Sequence, residues 1–319
     1  EALGFGENTT DKTAYLNKTV NALSFASALA TDRAKAEIIL NALGTDSTQL
    51  TSYDKTSYNN AEALANMQLG SSYYAAPWIL LAEEAGQLSL SDKQRSDMID
   101  LLLNAQGENG LFYSIWANEK YDDVDTTGTA LAALARFKDD DAVKAFCDKA
   151  LEGLSSAQGE NGSYGNINSD AMVIIGLAAV GINPSSDERF VKNGCSLADA
   201  VMLYVNDAGN GFTTTYISGS SGDKARALAT EQGFRALVTL EQLSDCSTFN
   251  VYTLKSEGGQ SVPVKAELKP FEATEKTDEK TDESTGESGG SSSGGSAEAE
   301  ITVKAEVIAA DSEEWLSES

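Results

Sequence analysis

Apolar side chains recur along most of this chain with the period of an α-helix. In DAVKAFCDKALEGLSS, Val143, Phe146, Cys147, Ala150, Leu151 and Leu154 fall at i, i+3, i+4, i+7, i+8 and i+11, which is one stripe of a surface helix. SLADAVMLYVN repeats the pattern with Leu197, Val201, Tyr204 and Val205, and DKQRSDMIDLLLNAQ is a third such segment. A second kind of segment, TTGTALAALARF and SDAMVIIGLAAVG, is apolar or small on nearly every face, which predicts helices buried all round. TDRAKAEIILNALG, YYAAPWILLAEEAG and TEQGFRALVTLEQL are more polar members of that class. Gly44, Gly86 and Gly181 end three of these segments, where a left-handed C-terminal residue is expected.

A turn links the two kinds of helix. AQGENG occurs at 105–110 and again at 157–162, each time two residues ahead of an aromatic, Phe112 and Tyr164. NDAGNGFT aligns Gly211-Phe212 with the same signature, so the glycines advance from Gly110 to Gly162 to Gly211 by 52 and then 49 residues. Helix pairs repeating at such a period predict a solenoid or a closed toroid. The fully apolar helices favour the closed form: an all-α domain over 1–246, an α/α toroid of about five to six outer/inner helix pairs. In it the glutamine should bond exposed backbone at the end of an outer helix, the glycine should take a positive φ, and the aromatic should plug the gap between pairs. Gln106, Gly110, Phe112, Gln158, Gly162, Tyr164, Gly211 and Phe212 are therefore read as structural repeat turns rather than ligand contacts.

Past residue 246 the pattern changes. TFNVYTLK and SVPVKAEL flank the turn signal SEGGQ and predict a small β hairpin or flap within 247–271. Residues 272–299 are acidic and Gly/Ser-rich with almost nothing to bury, so a disordered linker is expected. In 300–319, Ile301, Val303, Ala305 and Val307 alternate with Thr302, Lys304 and Glu306, as at the start of a truncated β domain.

Charge narrows the partners. With 49 acidic against 23 basic residues the net charge is −26, which disfavours nucleic acid and anionic membrane surfaces. No run of 18 apolar residues suggests membrane insertion, and no signal peptide is visible at the start. The absence of histidine removes Ser-His-Asp and Cys-His catalysis and every zinc site that needs imidazole. Cys147 lies on a helix stripe as a small hydrophobe, whereas pairing of Cys195 with Cys246 is left open.

The turns also carry a likeness. Gln106 to Phe112 and Gln158 to Tyr164 resemble degenerate QW motifs (Gln, short spacer, Gly, any residue, aromatic) of the α/α toroids of squalene and terpene cyclases and protein prenyltransferase β subunits. Complement-type thioester domains and cobalamin carriers share that fold. The resemblance covers residues 11–246, and members of the superfamily do unrelated things. A toroid followed by an acidic linker and an incipient strand domain further resembles bacterial cell-surface proteins that end in a cobalamin-carrier-like β domain. The resemblance implies a secreted or surface-displayed protein, here expected as a monomer. A corrinoid is the one cofactor it suggests; otherwise neither cofactor nor metal is expected.

Candidate chemistry centres on Tyr121-Asp122-Asp123-Val124-Asp125-Thr126-Thr127 at the start of the third buried helix. It resembles the D-x-D-D of class II terpene cyclases, whose middle Asp protonates an alkene or epoxide, except that Thr126 replaces the last acid. Asp-Thr-Thr opening a helix also reads as an N-cap, which would lower a carboxylate pKa, the wrong direction for a proton donor. Asn168-Ser169-Asp170, Thr31-Asp32 and Thr230-Glu231 read as equivalent caps. The prenyltransferase zinc site lacks its histidine, and Thr230-Glu231-Gln232 lacks the cysteine of a thioester motif. Asp122, Asp123, Asp125, Asp170 and Glu231 are expected to converge on one mouth, where Trp116, Tyr121, Tyr164 and Tyr74 suit sugar stacking. The expected function is a non-catalytic binding module that takes a small molecule, glycan or host protein on Asp122, Asp123, Asp125, Trp116, Tyr74, Asp170 and Glu231. The alternative is a terpene-cyclase-like or carbohydrate-active enzyme using Asp123 and Asp125 as acids.

Overall fold

The computed structural model describes residues 16, 18–23, 28–52, 56–67, 73–215 and 224–254, all within the first of the two units into which the chain divides, residues 1–269. The fold is mostly helical. In chain order its helices are α1 (Ala30–Ala42), α2 (Asn60–Ala65), α3 (Ala76–Ala85), α4 (Asp92–Ala105), α5 (Val124–Leu134), α6 (Asp141–Ala157), α7 (Ile167–Val180), α8 (Leu197–Val201) and α9 (Ala227–Asp245). Among the described residues, three small antiparallel hairpins interrupt them: β1 (Leu50–Thr51) with β2 (Ser57–Tyr58), β3 (Phe112–Trp116) with β4 (Glu119–Asp123), and β5 (Val191–Lys192) with β6 (Cys195–Ser196). Helical periodicity masks these hairpins, and only Asn193-Gly194, a two-residue turn pair, marks one of them in the sequence.

The odd-numbered helices pack in series: α1 on α3, α3 on α5, α5 on α7 and α7 on α9. Their composition explains this. In α7 every residue from Ser169 to Ala179 is buried, so neighbours must cover it on all sides. α6 buries only Val143, Phe146, Cys147, Ala150, Leu151, Gly153 and Leu154, one stripe laid against the core, and burial pushes the Cys147 thiol up to about 11. α5 and α7 approach through two glycines. A Cβ on Gly128 would sit 2.5 Å from the Met172 carbonyl oxygen, and one on Gly176 would sit 2.3 Å from that of Gly128. Only glycine fits at either contact.

Local chemistry sets the ends. Ser91 and Gln94 form a capping box on α4, and Ser196 and Asp199 form one on α8. Asp140 accepts from the Ala142 and Val143 N–H groups at the start of α6. Gly181 ends α7 in the left-handed region (φ 88°).

Two expectations change. SLADAVMLYVN is not one amphipathic helix: α8 stops at Val201 and a 3₁₀ turn, Met202–Tyr204, tightens the chain so that it enters the next turn. TFNVYTLK does not form a strand. Val251–Thr253 is a 3₁₀ turn capped by Asn250, because Val251 and Tyr252 are buried against the helices instead of alternating with solvent. The remainder of the expected hairpin in 247–271, the linker 272–299 and the β segment 300–319 lie outside the described residues. The thiols of Cys147, Cys195 and Cys246 are free.

Candidate functional site

The two AQGENG turns fold alike. Gly107 N–H donates to the Leu111 carbonyl at 2.8 Å and Gly110 N–H to Gly107 at 3.0 Å; Gly159 and Gly162 make the matching bonds to Ser163 and Gly159 at 2.9 Å each. Gly110 (φ 87°) and Gly162 (φ 84°) take the left-handed conformation, but in the third turn Gly209 (φ 65°) does so and Gly211 does not. Gln106 Nε2 donates to the carbonyls of Gly110 and Phe146 at 3.0 Å. Gln158 Nε2 donates to those of Gly162 at 2.7 Å and Phe190 at 3.0 Å. Each glutamine therefore ties its turn to the next outer segment along the chain, Gln106 to Phe146 within α6 and Gln158 to Phe190 at the end of the Glu188–Phe190 3₁₀ turn. In the third turn Asn206 replaces it, its Oδ1 accepting from the Asn210 and Gly211 N–H groups.

The aromatic after each turn is held by the fourth residue of the helix that follows. Thr127 Oγ1 accepts from Phe112 N–H at 3.0 Å, and Thr230 Oγ1 from Phe212 N–H at 3.0 Å. In the second joint Asp170 Oδ1 accepts from Tyr164 N–H at 2.7 Å. Asp170 thus stands where the other joints use threonine. Its side chain is fully buried; Oδ1 also accepts from the Ser163 hydroxyl at 3.1 Å, and Oδ2 has no hydrogen-bond partner. Burial lifts its carboxyl to about 7, against the pull of the Tyr164 N–H and Ser163 hydroxyl and with help from the charge of Asp125.

This corrects the capping assignments. Asp123 is the N-cap of α5, accepting from Thr126 N–H and Oγ1–H at 2.8 Å each. Asp125 is not a cap: burial raises its carboxyl, opposed by the Ser169 hydroxyl and assisted by Asp123, the reverse of the expected direction. Asn166, not Asn168-Ser169-Asp170, caps α7. Leu29 and Arg226 precede α1 and α9 without a side-chain cap, so Thr31-Asp32 and Thr230-Glu231 do not serve either.

A polar cluster that sequence reasoning missed gathers around Tyr252. Phe249 N–H donates to the Ala178 carbonyl of α7 and Asn250 Nδ2 to the Ala132 carbonyl of α5, both at 3.2 Å. The chain then directs Tyr252 among the helices. Its ring lies edge-on to Trp78 of α3 at 5.2 Å, and its hydroxyl accepts from Arg235 of α9 at 3.0 Å and donates to the Met172 sulfur of α7 at 3.4 Å. Arg235 is ion-paired with Glu231 at 2.7 Å. Lys35 of α1 lies 4.5 Å over the Trp78 ring, and desolvation lowers its pKa. Burial raises the Tyr252 phenol, the Arg235 charge opposes this, and Glu231 and Asp125 add to it. No sequence signal marked this cluster, because Lys35, Trp78, Met172, Arg235 and Tyr252 lie on separate segments of the chain.

The remaining candidates are dispersed. Asp122 accepts from Asn109 Nδ2 at 2.8 Å. Tyr74 is 41% exposed and donates to the Tyr113 carbonyl at 3.3 Å. Trp116, 75% exposed, occupies the tip of the β3–β4 hairpin. Four residues of strand carry it roughly 13 Å from Phe112. Asp123, Asp125 and Asp170 form one electrostatically coupled group, and Glu231 joins it only through the field at Tyr252. At the opposite ends of α3 and α7 a cleft of about 420 Å³ is lined by Glu84, Arg136, Lys138, Phe249 and Asn250 among others. No helix among the described residues is long and apolar enough to cross a membrane. No family model matches the chain, and comparison with curated proteins finds no match.

Proposed function

We propose that this chain is a non-catalytic binding module, an α/α toroid displayed outside the cell, that takes a small molecule, glycan or host protein at the N-terminal ends of α5, α7 and α9. The serial packing of the odd-numbered helices supports a ring. So does the proximity of Lys35 on the first to Arg235 and Glu231 on the last, each acting on its charge. One observation carries the non-catalytic reading. The acids at those helix starts already have structural partners: Asp123 caps α5, Asp170 holds Tyr164 and Glu231 holds Arg235, while Trp116, Tyr121 and Tyr74 remain open to solvent. If a corrinoid is the ligand, enclosure holds it, since no histidine can serve as an axial ligand.

Asp125 supports a second reading. Burial and the neighbouring Asp123 charge favour its protonated form, the direction that a proton donor needs. Incubation with polyprenyl substrates separates the two. The binding module yields no cyclised product; product from the wild type that vanishes in Asp125→Asn would establish the acid catalyst and end the non-catalytic reading. Corrinoid and glycan screens of the wild type, read by thermal shift, then identify the ligand class.

A further inference from the structure

The register of the β3–β4 hairpin sorts its side chains. Phe112 with Asp123, Ser114 with Tyr121, and Trp116 with Glu119 share one face; Tyr113 with Asp122 and Ile115 with Lys120 share the other. On the first face Phe112 is buried at the root and Ser114 is small, leaving Tyr121 and Trp116 as exposed diagonal neighbours within mutual reach. The Tyr121 hydroxyl donates to Glu119 at 3.0 Å. The hairpin's one cation, Lys120, sits 3.7 Å over the Tyr113 ring on the opposite face. The strip therefore offers two aromatic planes, the Glu119 carboxylate at its tip and no positive charge. Its tip turn, Ala117 (φ 51°) and Asn118 (φ 67°), holds two non-glycine residues in the left-handed region, a strained conformation that keeps Trp116 opposite Glu119.

We propose that this face binds a neutral glycan chain, with Trp116 and Tyr121 stacking on the C–H faces of sugar rings and Glu119 accepting hydrogen bonds from their hydroxyls. The assignment rests on the binding-module reading and narrows its ligand. Charge excludes the anionic alternatives: sulfated or uronic chains would meet only carboxylates on this face, in a chain of net charge −26. Shape favours a chain over a globular partner: the exposed aromatics lie in line along one face of a two-stranded hairpin and offer at most about 500 Å² between them. A chain of two or three sugar rings matches the length of the strip.

The test is a titration of the full chain, followed by calorimetry and tryptophan fluorescence, with the neutral hexasaccharides of cellulose, xylan, mannan and chitin. Heparin fragments, oligogalacturonate and a lysine-rich peptide complete the set. At least one neutral chain should bind, and Trp116→Ala should weaken it by about tenfold or more, with Trp116→Phe keeping much of the affinity. Both variants should keep the wild-type melting temperature, because Trp116 supports no core contact. The proposal is overturned if the neutral chains do not bind, if only the charged probes bind, or if glycan binding survives Trp116→Ala. Where no neutral chain binds, corrinoid binding would leave the module reading standing, whereas cyclised polyprenyl product would remove the module reading instead.

Discussion

After the shared AQGENG, the first joint continues as Leu111-Phe112 and the second as Ser163-Tyr164. In the first, the chain makes the β3–β4 hairpin before α5, so the threonine that holds the aromatic comes fifteen residues later. In the second it enters α7 almost at once, and an aspartate six residues on does the holding. What is common to both joints is architecture: the glutamine staple, the left-handed glycine and the buried aromatic or its backbone. What differs is what architecture does not require, an exposed aromatic hairpin in one and a buried carboxyl in the other. Departures from the repeat are therefore the better guide to function than the repeat itself.

The largest expected effect follows from replacing the odd carboxyl by the residue of the other joints. Folded Asp170 titrates near 7, whereas an unfolded aspartate titrates near 4, as about 3.9 for model peptides indicates. Between those values the folded protein keeps a proton that the unfolded chain has released. Stability must fall as pH rises from about 4 to about 7 and stay level above that. The swing is on the order of 4 kcal/mol. Asp170→Thr should flatten that slope and be the more stable protein at pH 8, as measured by urea midpoints across pH. Equal slopes in both proteins would move the titration to Asp125 or Glu37, whose carboxyls burial also raises.

Next come the turns' shared parts. A Cβ on Gly110 would lie 2.1 Å from the Lys149 carbonyl oxygen; on Gly162 it would lie 2.9 Å from those of Cys195 and Ser196. Both sites also have positive φ. Gly110→Ala should cost about 3 kcal/mol and Gly162→Ala about 2, by denaturant midpoint. The order reverses for the glutamines. Gln158 is buried and Gln106 only partly so, so Gln158→Ala should cost about 2 kcal/mol and Gln106→Ala about 1, since water replaces the lost donor only at the first joint. Equal losses at the two joints would mean that the staples do not differ in their access to solvent.

Much of this scaffold was legible because periodicity reports burial directly. The stripe of α6, the apolar length of α7 and the paired AQGENG turns each follow from one segment read alone. The joint residues were legible as structure, but not the partner of each glutamine, which lies on a segment 32 or 40 residues away. The site was far less legible. Asp123, Asp125 and Asp170 all sit near helix starts, yet only Asp123 caps, since capping depends on the backbone angle of a single residue and not on composition. Tyr252 was read as part of a strand because its partners, Trp78, Met172 and Arg235, come from three other helices. The β3–β4 hairpin escaped because its turn is Ala117-Asn118, with no glycine to mark it.

That turn yields the smallest effect and the finest comparison. The β5–β6 hairpin closes through Asn193 (φ 51°) and Gly194 (φ 80°), the pair that left-handed two-residue turns favour. At the matching first position the β3–β4 hairpin holds Ala117, also at 51°. A Cβ there costs about 1 to 2 kcal/mol in the left-handed region, while glycine gives back about 0.5 to 1 through the freedom it gains on unfolding. Ala117→Gly should therefore stabilise the protein by only about 0.5 kcal/mol, and Asn193→Ala should destabilise it by a similar amount. If the alanine is retained to hold Trp116 opposite Glu119, the stabilised Ala117→Gly protein should bind its glycan more weakly, with amide exchange at 116–119 faster than wild type. A gain in stability with affinity unchanged would make the strained turn a local accident of sequence, not part of the binding face.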